Sequence, residues 1–277
     1  VVMMSGHGTI DTAVEATKIG AIDFLEKPIG MQKLLSAVQR ALDRSHKPGA
    51  GSLSLAAFPR SAPLKDLKKR LEQLAAKSRT VLLRAGPAGF VELAGRTLQP
   101  PGRAWVDLAA DSNPITLDAL QAAAGGVLWC EELGRLTRLQ QKNLAFAAER
   151  LEKFDLHLVA ASSHDLAALT ALGWDEAPLR RLFEVWLGVP SLAEIRDEIP
   201  DIAAHLLTQL VEAGESPLRR LSTAAQNALR QHAWPGGYGE LKSVVKSLAL
   251  GALEEEIGGE DVARLLSPVP DGAPKTP

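Results

Sequence analysis

Apolar and polar residues alternate along the first 45 positions in a way that predicts two strands and two helices. The apolar runs Val1–Met4 and Ala21–Leu25 have the length of strands in a parallel sheet. Apolar residues at helical spacing follow each run and predict helices that end near Gly20 and Ser45. This order predicts one βαβα unit. Because such a unit is too small to fold alone, we expect further strands upstream of Val1.

The pattern changes after this unit. Residues 47–63 are rich in Pro, Gly, Ser and Ala, which predicts a linker. Residues 64–190 then alternate short apolar runs with helical patterns, which predicts a three-layer α/β core. Its predicted strands are Thr80–Leu83, Ala104–Leu108, Val127–Cys130 and Leu156–Ala161.

Helical patterns dominate the rest of the chain. They predict a long helix after Glu132, a helix over Pro178–Val185, and a small all-α lid domain over residues 191–266. Within the lid, helices are predicted over residues 193–212, 222–232 and 240–256. Residues 267–277 are polar and Pro-rich, which predicts a disordered tail.

Composition narrows the class of protein. The 277 residues carry a net charge of −2 and one cysteine. This charge gives no general attraction to nucleic acid or to an anionic membrane, and a single cysteine forms no intrachain disulfide and fits the cytoplasm. No apolar run approaches the ~20 residues of a membrane span, so we expect no membrane contact. The six histidines are scattered, and no metal site is predicted.

Candidate chemistry begins with the segment Gly125–Glu132, an apolar run that ends in two carboxylates, Glu131 and Glu132. In an open α/β sheet, ligands bind at the carboxyl ends of the strands, and acids there commonly hold a metal-bound nucleotide. A core strand with a solvated acidic tip is an equally good interpretation of these residues alone. Trp129 and Trp186 are predicted to be core residues, and Cys130 a buried, inert thiol.

A second candidate is the segment Arg84–Glu92, which stands where a phosphate loop belongs, between a strand and a helix. Gly86 and Gly89 are the glycines that such a loop needs in order to wrap phosphates. However, there is no lysine between Lys77 and Lys142, and Pro87 lacks a backbone donor. The sequence therefore does not support charge neutralisation of a triphosphate at this loop.

The first 46 residues contain a strand that ends in Ser5-Gly6-His7-Gly8, then Gly20-Ala21 and Phe24-Leu25-Glu26-Lys27-Pro28. They resemble the second half of a bacterial response-regulator receiver domain, a flavodoxin-like fold. The resemblance implies that Ser5 is the switch hydroxyl, Phe24 the switch aromatic and Lys27 the phosphate-binding lysine. It also implies that the phosphoacceptor aspartate lies before Val1 and that a sensor histidine kinase is the partner of the complete receiver.

Residues 64 to 266 resemble the AAA+ domain of NtrC-type, sigma-54-dependent transcription activators. The motifs that carry this resemblance are Gly125–Gly134, Val189–Leu192 with Arg196–Ile202, and Trp234-Pro235-Gly236 with Glu240-Leu241. The order receiver, linker and AAA+ domain is also that of the family. The resemblance implies a P-loop fold with a helical lid, ATP and Mg²⁺ as cofactors, and self-association into an oligomer.

The chain departs from the family pattern at the nucleotide site. The loop lysine and the glycine before it fall at Val91 and Phe90, and Glu131 replaces the Walker B aspartate. Glu132 matches the acid that polarises water, and Arg181 matches one arginine finger. The remaining departures are Ser163 at the sensor asparagine, Asp175 at the other finger, and Gly239 at the lid arginine.

The segment between Leu108 and Gly125 is too short for the family's sigma-contacting loop. The sequence thus predicts a response regulator acting in transcription, with a degenerate AAA+ domain that neither hydrolyses ATP nor engages sigma-54 polymerase. Two alternatives stay open: a residual ATPase that uses Glu131, Glu132 and Arg181, and a protein-binding adaptor without DNA binding. DNA binding is expected only if a helix-turn-helix lies beyond this chain.

Overall fold

A computed structural model describes residues 52–266, together with the backbone of residues 2–5 and 23–26. The chain divides into two units, Val1–Gly51 and Ser52–Pro277. In the first unit, strands β1 (Val2–Ser5) and β2 (Asp23–Glu26) pair in parallel, as predicted. Ser5 and Phe24 lie in these strands, whereas Lys27, the predicted helices of this unit and the tail over 267–277 lie outside the described residues.

The second unit is built on a parallel sheet of five strands in the order β4-β5-β6-β3-β7. Each strand contains apolar residues that are buried or half-buried, and β5 is buried at every position. The strands are β3 (Thr80–Arg84), β4 (Trp105–Asp107), β5 (Val127–Cys130), β6 (His157–Ser162) and β7 (Trp186–Gly188).

Helices cover both faces of this sheet and form the lid. Those of the core are α1 (Ala62–Ala75), α2 (Val91–Gly95), α3 (Leu117–Ala122), α4 (Arg138–Ala148), α5 (Leu166–Ala171) and α6 (Glu176–Leu182). Those of the lid are α7 (Ile199–Glu212), α8 (Thr223–Gln231), α9 (Gly237–Gly251) and α10 (Gly259–Leu266).

Successive residues of β5 point to opposite faces of the sheet and join two different cores. Val127 and Trp129 belong to a core that continues through α1 into the lid. Leu128 and Cys130 belong to a second core under α4, α5 and α6. The short apolar run predicted as a strand buried on both faces is therefore confirmed, and it brings its two terminal carboxylates to the carboxyl edge of the sheet.

In the lid, β8 (Arg220–Leu221) and β9 (Glu256–Ile257) add a short strand pair to the predicted helices. Trp234 is fully buried with a φ of 51°, and its ring Nε1–H donates to the Leu229 carbonyl oxygen at 2.9 Å. Left-handed backbone at a bulky residue is strained, so packing must hold it in place. This strained residue fixes the turn that leads into α9.

Four local predictions were wrong. Leu53, Leu55 and Phe58, inside the predicted linker, are buried in the core, because single large apolar residues there pack despite the small, turn-prone neighbours. The long helix predicted after Glu132 is a 3-10 turn over Leu133–Arg135 followed by α4, which Thr137 caps. The helix predicted over residues 193–212 likewise divides into a 3-10 segment and α7, with a kink at Ile195.

The fourth concerns Trp186, which was predicted to be core but is 53% exposed. It lies on β7, a three-residue edge strand that hydrophobic periodicity is too coarse to reveal. The guanidinium carbon of Arg84 lies 5.5 Å from the centre of its ring.

Candidate functional site

A cavity of about 340 Å³ lies at the carboxyl edge of the sheet, where the lid meets the core. Its size is that of a small-molecule site. The structure brings four predicted site residues together in its lining: Gly86, Gly89, Glu131 and Glu132. Further lining residues are Pro87, Val91, Glu92, Gly134, Arg135, Ser163, His164, Leu172, Gly236, Tyr238 and Gly239.

The loop at the base of this cavity is held by its own backbone. The Gly89 N–H donates to the Gly86 carbonyl oxygen at 3.0 Å, and Pro87 has no N–H to offer. Phe90 is fully buried in the core that continues into the lid, and Val91 is half-buried. The positions at which the sequence comparison places a phosphate-loop glycine and lysine are thus held by apolar side chains.

The carbonyl oxygens of the same loop bind the lid. The Tyr238 N–H donates to the Gly89 oxygen at 3.2 Å, and the Leu192 N–H donates to the Ala88 oxygen at 3.0 Å. Gly237 has a φ of 62°, and a Cβ at this position would lie 2.5 Å from the Gly89 oxygen. Only glycine fits this close approach, so the Trp-Pro-Gly-Gly turn seats the lid directly on the loop.

Glu132 follows β5, and both of its carboxylate oxygens have partners. Oε1 accepts from the Gly134 N–H at 2.9 Å, and Oε2 accepts from the N–H and the hydroxyl of Ser163 at 2.8 and 2.7 Å. His164 Nδ1 lies 3.5 Å from Oε1. Burial acts to raise the pKa of this carboxyl, but the hydrogen bonds from Gly134 and Ser163 outweigh it and hold the pKa below its ordinary value.

The neighbouring acidic residue is free. Glu131 is exposed at the cavity, and no hydrogen bond or ion pair joins it to another described residue. Cys130, just before it, is buried, and burial raises the pKa of its thiol to about 12. The prediction of a buried, inert thiol agrees with this environment.

Sequence reasoning missed a network that joins the loop helix to the lid. Glu92 of α2 pairs with Lys242 of α9, and its other oxygen lies 3.6 Å from the Arg96 guanidinium. The Lys242 ammonium also lies 5.2 Å from the ring centre of Tyr238. Lys242 stands three residues after Gly239, so helical spacing from the lid-arginine position was the signal that could have revealed it.

A second arrangement that the sequence did not reveal fixes the segment after β4. The side-chain amide of Gln140 donates to the Ala109 oxygen at 2.8 Å, and that of Asn143 donates to the Asn113 oxygen at 2.8 Å. Asn143 also accepts from the Ile115 N–H at 3.0 Å. Both amides are buried on α4, so they clamp residues 109–115 from beneath.

Two protein-family models match consecutive parts of the chain between residues 58 and 275. The model described as Sigma-54 interaction domain matches residues 58–192, and the model described as AAA+ ATPase lid domain matches residues 193–275. The chain is 26% identical to the DNA-binding transcriptional regulator NtrC of Azospirillum brasilense over 99% of its own length. The chain belongs to the NtrC-type family of sigma-54-dependent response regulators.

Other members of the NtrC-type family give the same result. The response regulator protein PilR of Pseudomonas aeruginosa is 27% identical over 95% of the chain, and the nitrogen assimilation regulatory protein NtrX of Azorhizobium caulinodans is 27% identical over 98%. The chain covers 66% of the Azospirillum NtrC, 67% of PilR and 70% of this NtrX, so it spans about two thirds of the length of these relatives.

Solved structures of the family share the fold. The crystal structure of NtrX from Brucella abortus has a TM-score of 0.58 at 24% identity, covering 98% of this chain and 70% of that one. The same protein in complex with ATP has a TM-score of 0.56 at 24% identity, over 97% and 72% of the two chains. The predicted α/β architecture with a parallel central sheet and a helical lid is confirmed.

Arg181, at a position matched to an arginine finger of the NtrC-type family, does not line the cavity described above. It is exposed on α6 and lines a second, open cavity with Lys77, Arg79 and Glu184. That cavity lies near Thr80, where β3 begins, and hence at the opposite edge of the sheet. Arg181 therefore has no contact with Glu131 or Glu132 of its own chain.

The described residues contain neither a candidate membrane-spanning helix nor a cluster of metal-binding side chains. None of the described helices is long and apolar enough to cross a bilayer. Across residues 52–266, no group of three or more His, Cys, Asp or Glu side chains is placed to hold a metal ion.

Proposed function

We propose that this chain is a two-component response regulator acting in transcription whose AAA+ body neither hydrolyses ATP nor engages sigma-54 polymerase. A sensor histidine kinase would phosphorylate the complete receiver in the bacterial cytoplasm. The body would pass on the signal by self-association or by binding a protein partner. By family resemblance, Ser5, Phe24 and Lys27 would be the phosphorylation switch of the receiver.

The charge of the cavity carries this proposal. The lining residues include the carboxylates of Glu92, Glu131 and Glu132, the guanidinium of Arg135 and no lysine, and Glu92 is already paired with Lys242. A triphosphate carries several negative charges and needs cations or free backbone donors around it. NtrX of Brucella abortus has been crystallised with ATP and with ADP. Because the fold is shared, it does not decide whether this chain binds a nucleotide. The charges of the cavity lining do, and here they repel a triphosphate.

The state of Glu132 supports the loss of hydrolysis. An acid that polarises water must offer a free oxygen lone pair to a water proton. Glu132 already accepts three hydrogen bonds, and His164 Nδ1 lies 3.5 Å from Oε1, so at most one of its roughly four acceptor positions is open to a water. Its carboxylate caps a turn and holds the end of β6 instead.

The clamped segment 109–115 supports the loss of sigma-54 contact. The family's sigma-contacting loop belongs between Leu108 and Gly125, where this chain has a short connection. Gln140 and Asn143 hold the backbone of that connection with buried amides. A segment fixed in this way cannot extend toward a partner without leaving buried polar groups unpaired.

Calorimetry of the complete chain with MgATP and MgADP tests the proposal. We expect no binding heat up to ~1 mM nucleotide, because a dissociation constant above that value corresponds to about −4 kcal/mol or weaker. Val91→Lys, which places the family's loop lysine at a half-buried position and leaves the buried Phe90 in the core, is the matched comparison. Micromolar binding by the unmodified chain would contradict the proposal.

The rival interpretation, a residual ATPase, needs a second assay. It predicts release of phosphate from ATP in the presence of magnesium and loss of that release in Glu132→Gln. We expect no turnover above the background of a protein-free reaction in either protein. Turnover that Glu132→Gln abolishes would establish the rival.

A further inference from the structure

A cation from the lid pairs with the helix that follows the phosphate-loop position. Lys242 of α9 forms an ion pair with Glu92, the second residue of α2 and 150 positions away in the chain. Tyr238, one helical turn before Lys242, donates its N–H to Gly89 of the loop. Gly239, three residues before Lys242, lines the cavity. Lys242 therefore stands on the cavity side of α9, one turn above the loop.

Arg96, the other cation beside Glu92, is held by separate contacts. Its guanidinium lies 3.9 Å from the ring centre of Trp105, and its Nη1–H donates to Gln99 Oε1 at 3.0 Å. Loss of Glu92 would leave these contacts in place. Lys242 has no second carboxylate partner among the described residues, and 39% of its side chain is exposed, so its four-carbon stem has room to move.

We propose that the Glu92–Lys242 pair is an autoinhibitory latch, which holds the lid on the loop without nucleotide and keeps the Lys242 ammonium away from anions in the cavity. This inference rests on the proposed function, because it explains how the lid stays closed when the loop lacks a bound phosphate. The same pair accounts for both effects: the carboxylate fixes the lid and neutralises its lysine.

The latch makes an asymmetric prediction about its two residues. Removing either charge loosens the contact between α9 and the loop, while the shared hydrophobic core still holds the lid in place. Only removal of the Glu92 charge also releases a cation and takes a carboxylate out of the cavity lining, so only Glu92→Gln should create affinity for an anion. The double variant Glu92→Gln/Lys242→Met lacks the released cation, so the gain in affinity for an anion should disappear.

Hydrogen exchange measures the first effect in the complete chain. We expect Glu92→Gln and Lys242→Met each to speed amide exchange over residues 236–243 and 86–92 by about 1.4-fold to fivefold, the range of one partly exposed ion pair. The matched control is Glu215→Gln, which breaks the 2.7 Å pair of Glu215 with Lys246 on the same helix α9. It should leave exchange over both segments unchanged.

Calorimetry with pyrophosphate measures the second effect. We expect Glu92→Gln to bind pyrophosphate at least tenfold more tightly than the unmodified chain, Lys242→Met and the double variant. The proposal is overturned if either single variant leaves exchange unchanged, or if the double variant gains as much affinity as Glu92→Gln. Both results are independent of whether the unmodified chain binds ATP, so failure of the latch and failure of the proposed function are separable.

Discussion

At the end of β5, both carboxylate oxygens of Glu132 hold neighbouring parts of the fold together. Its oxygens cap the 3-10 turn through Gly134 and bind the end of β6 through Ser163. Hydrogen bonds to an ionised group are worth about 1.5–3 kcal/mol each, more than those between neutral groups. The charge of Glu132 is therefore expected to stabilise the fold, and this can be measured through its pH dependence.

We predict that Glu132→Gln lowers the free energy of unfolding by about 1–2 kcal/mol at pH 7. The folded-state pKa of Glu132 lies below its ordinary value. Its stabilising contribution is thus fully present above the unfolded pKa of about 4.3 and is lost as the pH falls through the folded pKa. Urea unfolding at pH 7 and at pH 3 should show a difference between variant and unmodified chain that shrinks at the lower pH.

Glu131→Gln is the control for this experiment, because Glu131 is exposed and joined to no described residue by a hydrogen bond or ion pair. We expect its free energy of unfolding to match that of the unmodified chain within about 0.5 kcal/mol. If Glu131→Gln lost as much stability as Glu132→Gln, the removal of one negative charge, and not the hydrogen bonds of Glu132, would account for the loss.

A second prediction at the residue scale concerns two lid glycines in one turn of α9. Gly237→Ala should destabilise the protein by more than about 1 kcal/mol, because its φ of 62° disfavours a Cβ that would also meet the Gly89 oxygen. Gly239→Ala should be neutral or stabilise by up to about 1 kcal/mol, since no atom lies within 4 Å of its Cβ position in a helix. Thermal unfolding of both variants checks this, and equal midpoints would contradict it.

Among the elements, α4 links the core to the segment after β4. Its apolar face packs Leu144 and Ala147 into the second core, while Gln140 and Asn143 on neighbouring turns are buried against residues 109–115. Buried amides are stable only when their hydrogen bonds are satisfied. The helix and the segment therefore depend on each other.

We predict that Asn143→Ala costs about 1–3 kcal/mol of stability, because the Ile115 N–H loses a partly buried acceptor and the side chain leaves a gap. Limited proteolysis should cut residues 109–115 faster in this variant. Lys142→Ala, at an exposed position next to it, is the control and should be cut at the rate of the unmodified chain. Equal cutting of all three proteins would show that Asn143 does not hold the segment.

The elements that the sequence predicted correctly are those with a clear hydrophobic spacing. The strands β3, β5 and β6 stood out because each is a run of apolar residues buried on both faces. Strand β7 did not, since three residues give no period and one of them, Trp186, is exposed. At the site, local motifs predicted Gly86, Gly89, Glu131 and Glu132. The Glu92–Lys242 pair joins residues 150 positions apart, so no single motif contains both residues.

At the scale of the whole second unit, one hydrophobic core runs from the sheet into the lid. It includes Val81 and Trp129 of the sheet, Phe90 of the loop, and Ile202 and Val245 of the lid helices. The lid is therefore not an appendage with a separate core. Continuous burial of this kind favours unfolding in one cooperative step.

We predict that Ile202→Ala in the lid and Leu158→Ala in the sheet lower the midpoint of the same thermal transition. Both side chains are fully buried, and such truncations cost about 2–5 kcal/mol. Circular dichroism and tryptophan fluorescence should give coincident curves for each variant over the second unit. A separate early transition in Ile202→Ala alone would show that the lid unfolds independently.

The clamp of Gln140 and Asn143 has a consequence for the history of this chain. Any insertion that lengthened residues 109–115 would remove the backbone partners of two buried amides at once. Replacing the amides first would instead leave the short segment unheld. Either change alone would therefore leave buried amides without partners or a backbone segment without its clamp, and each is expected to lower the stability of the fold.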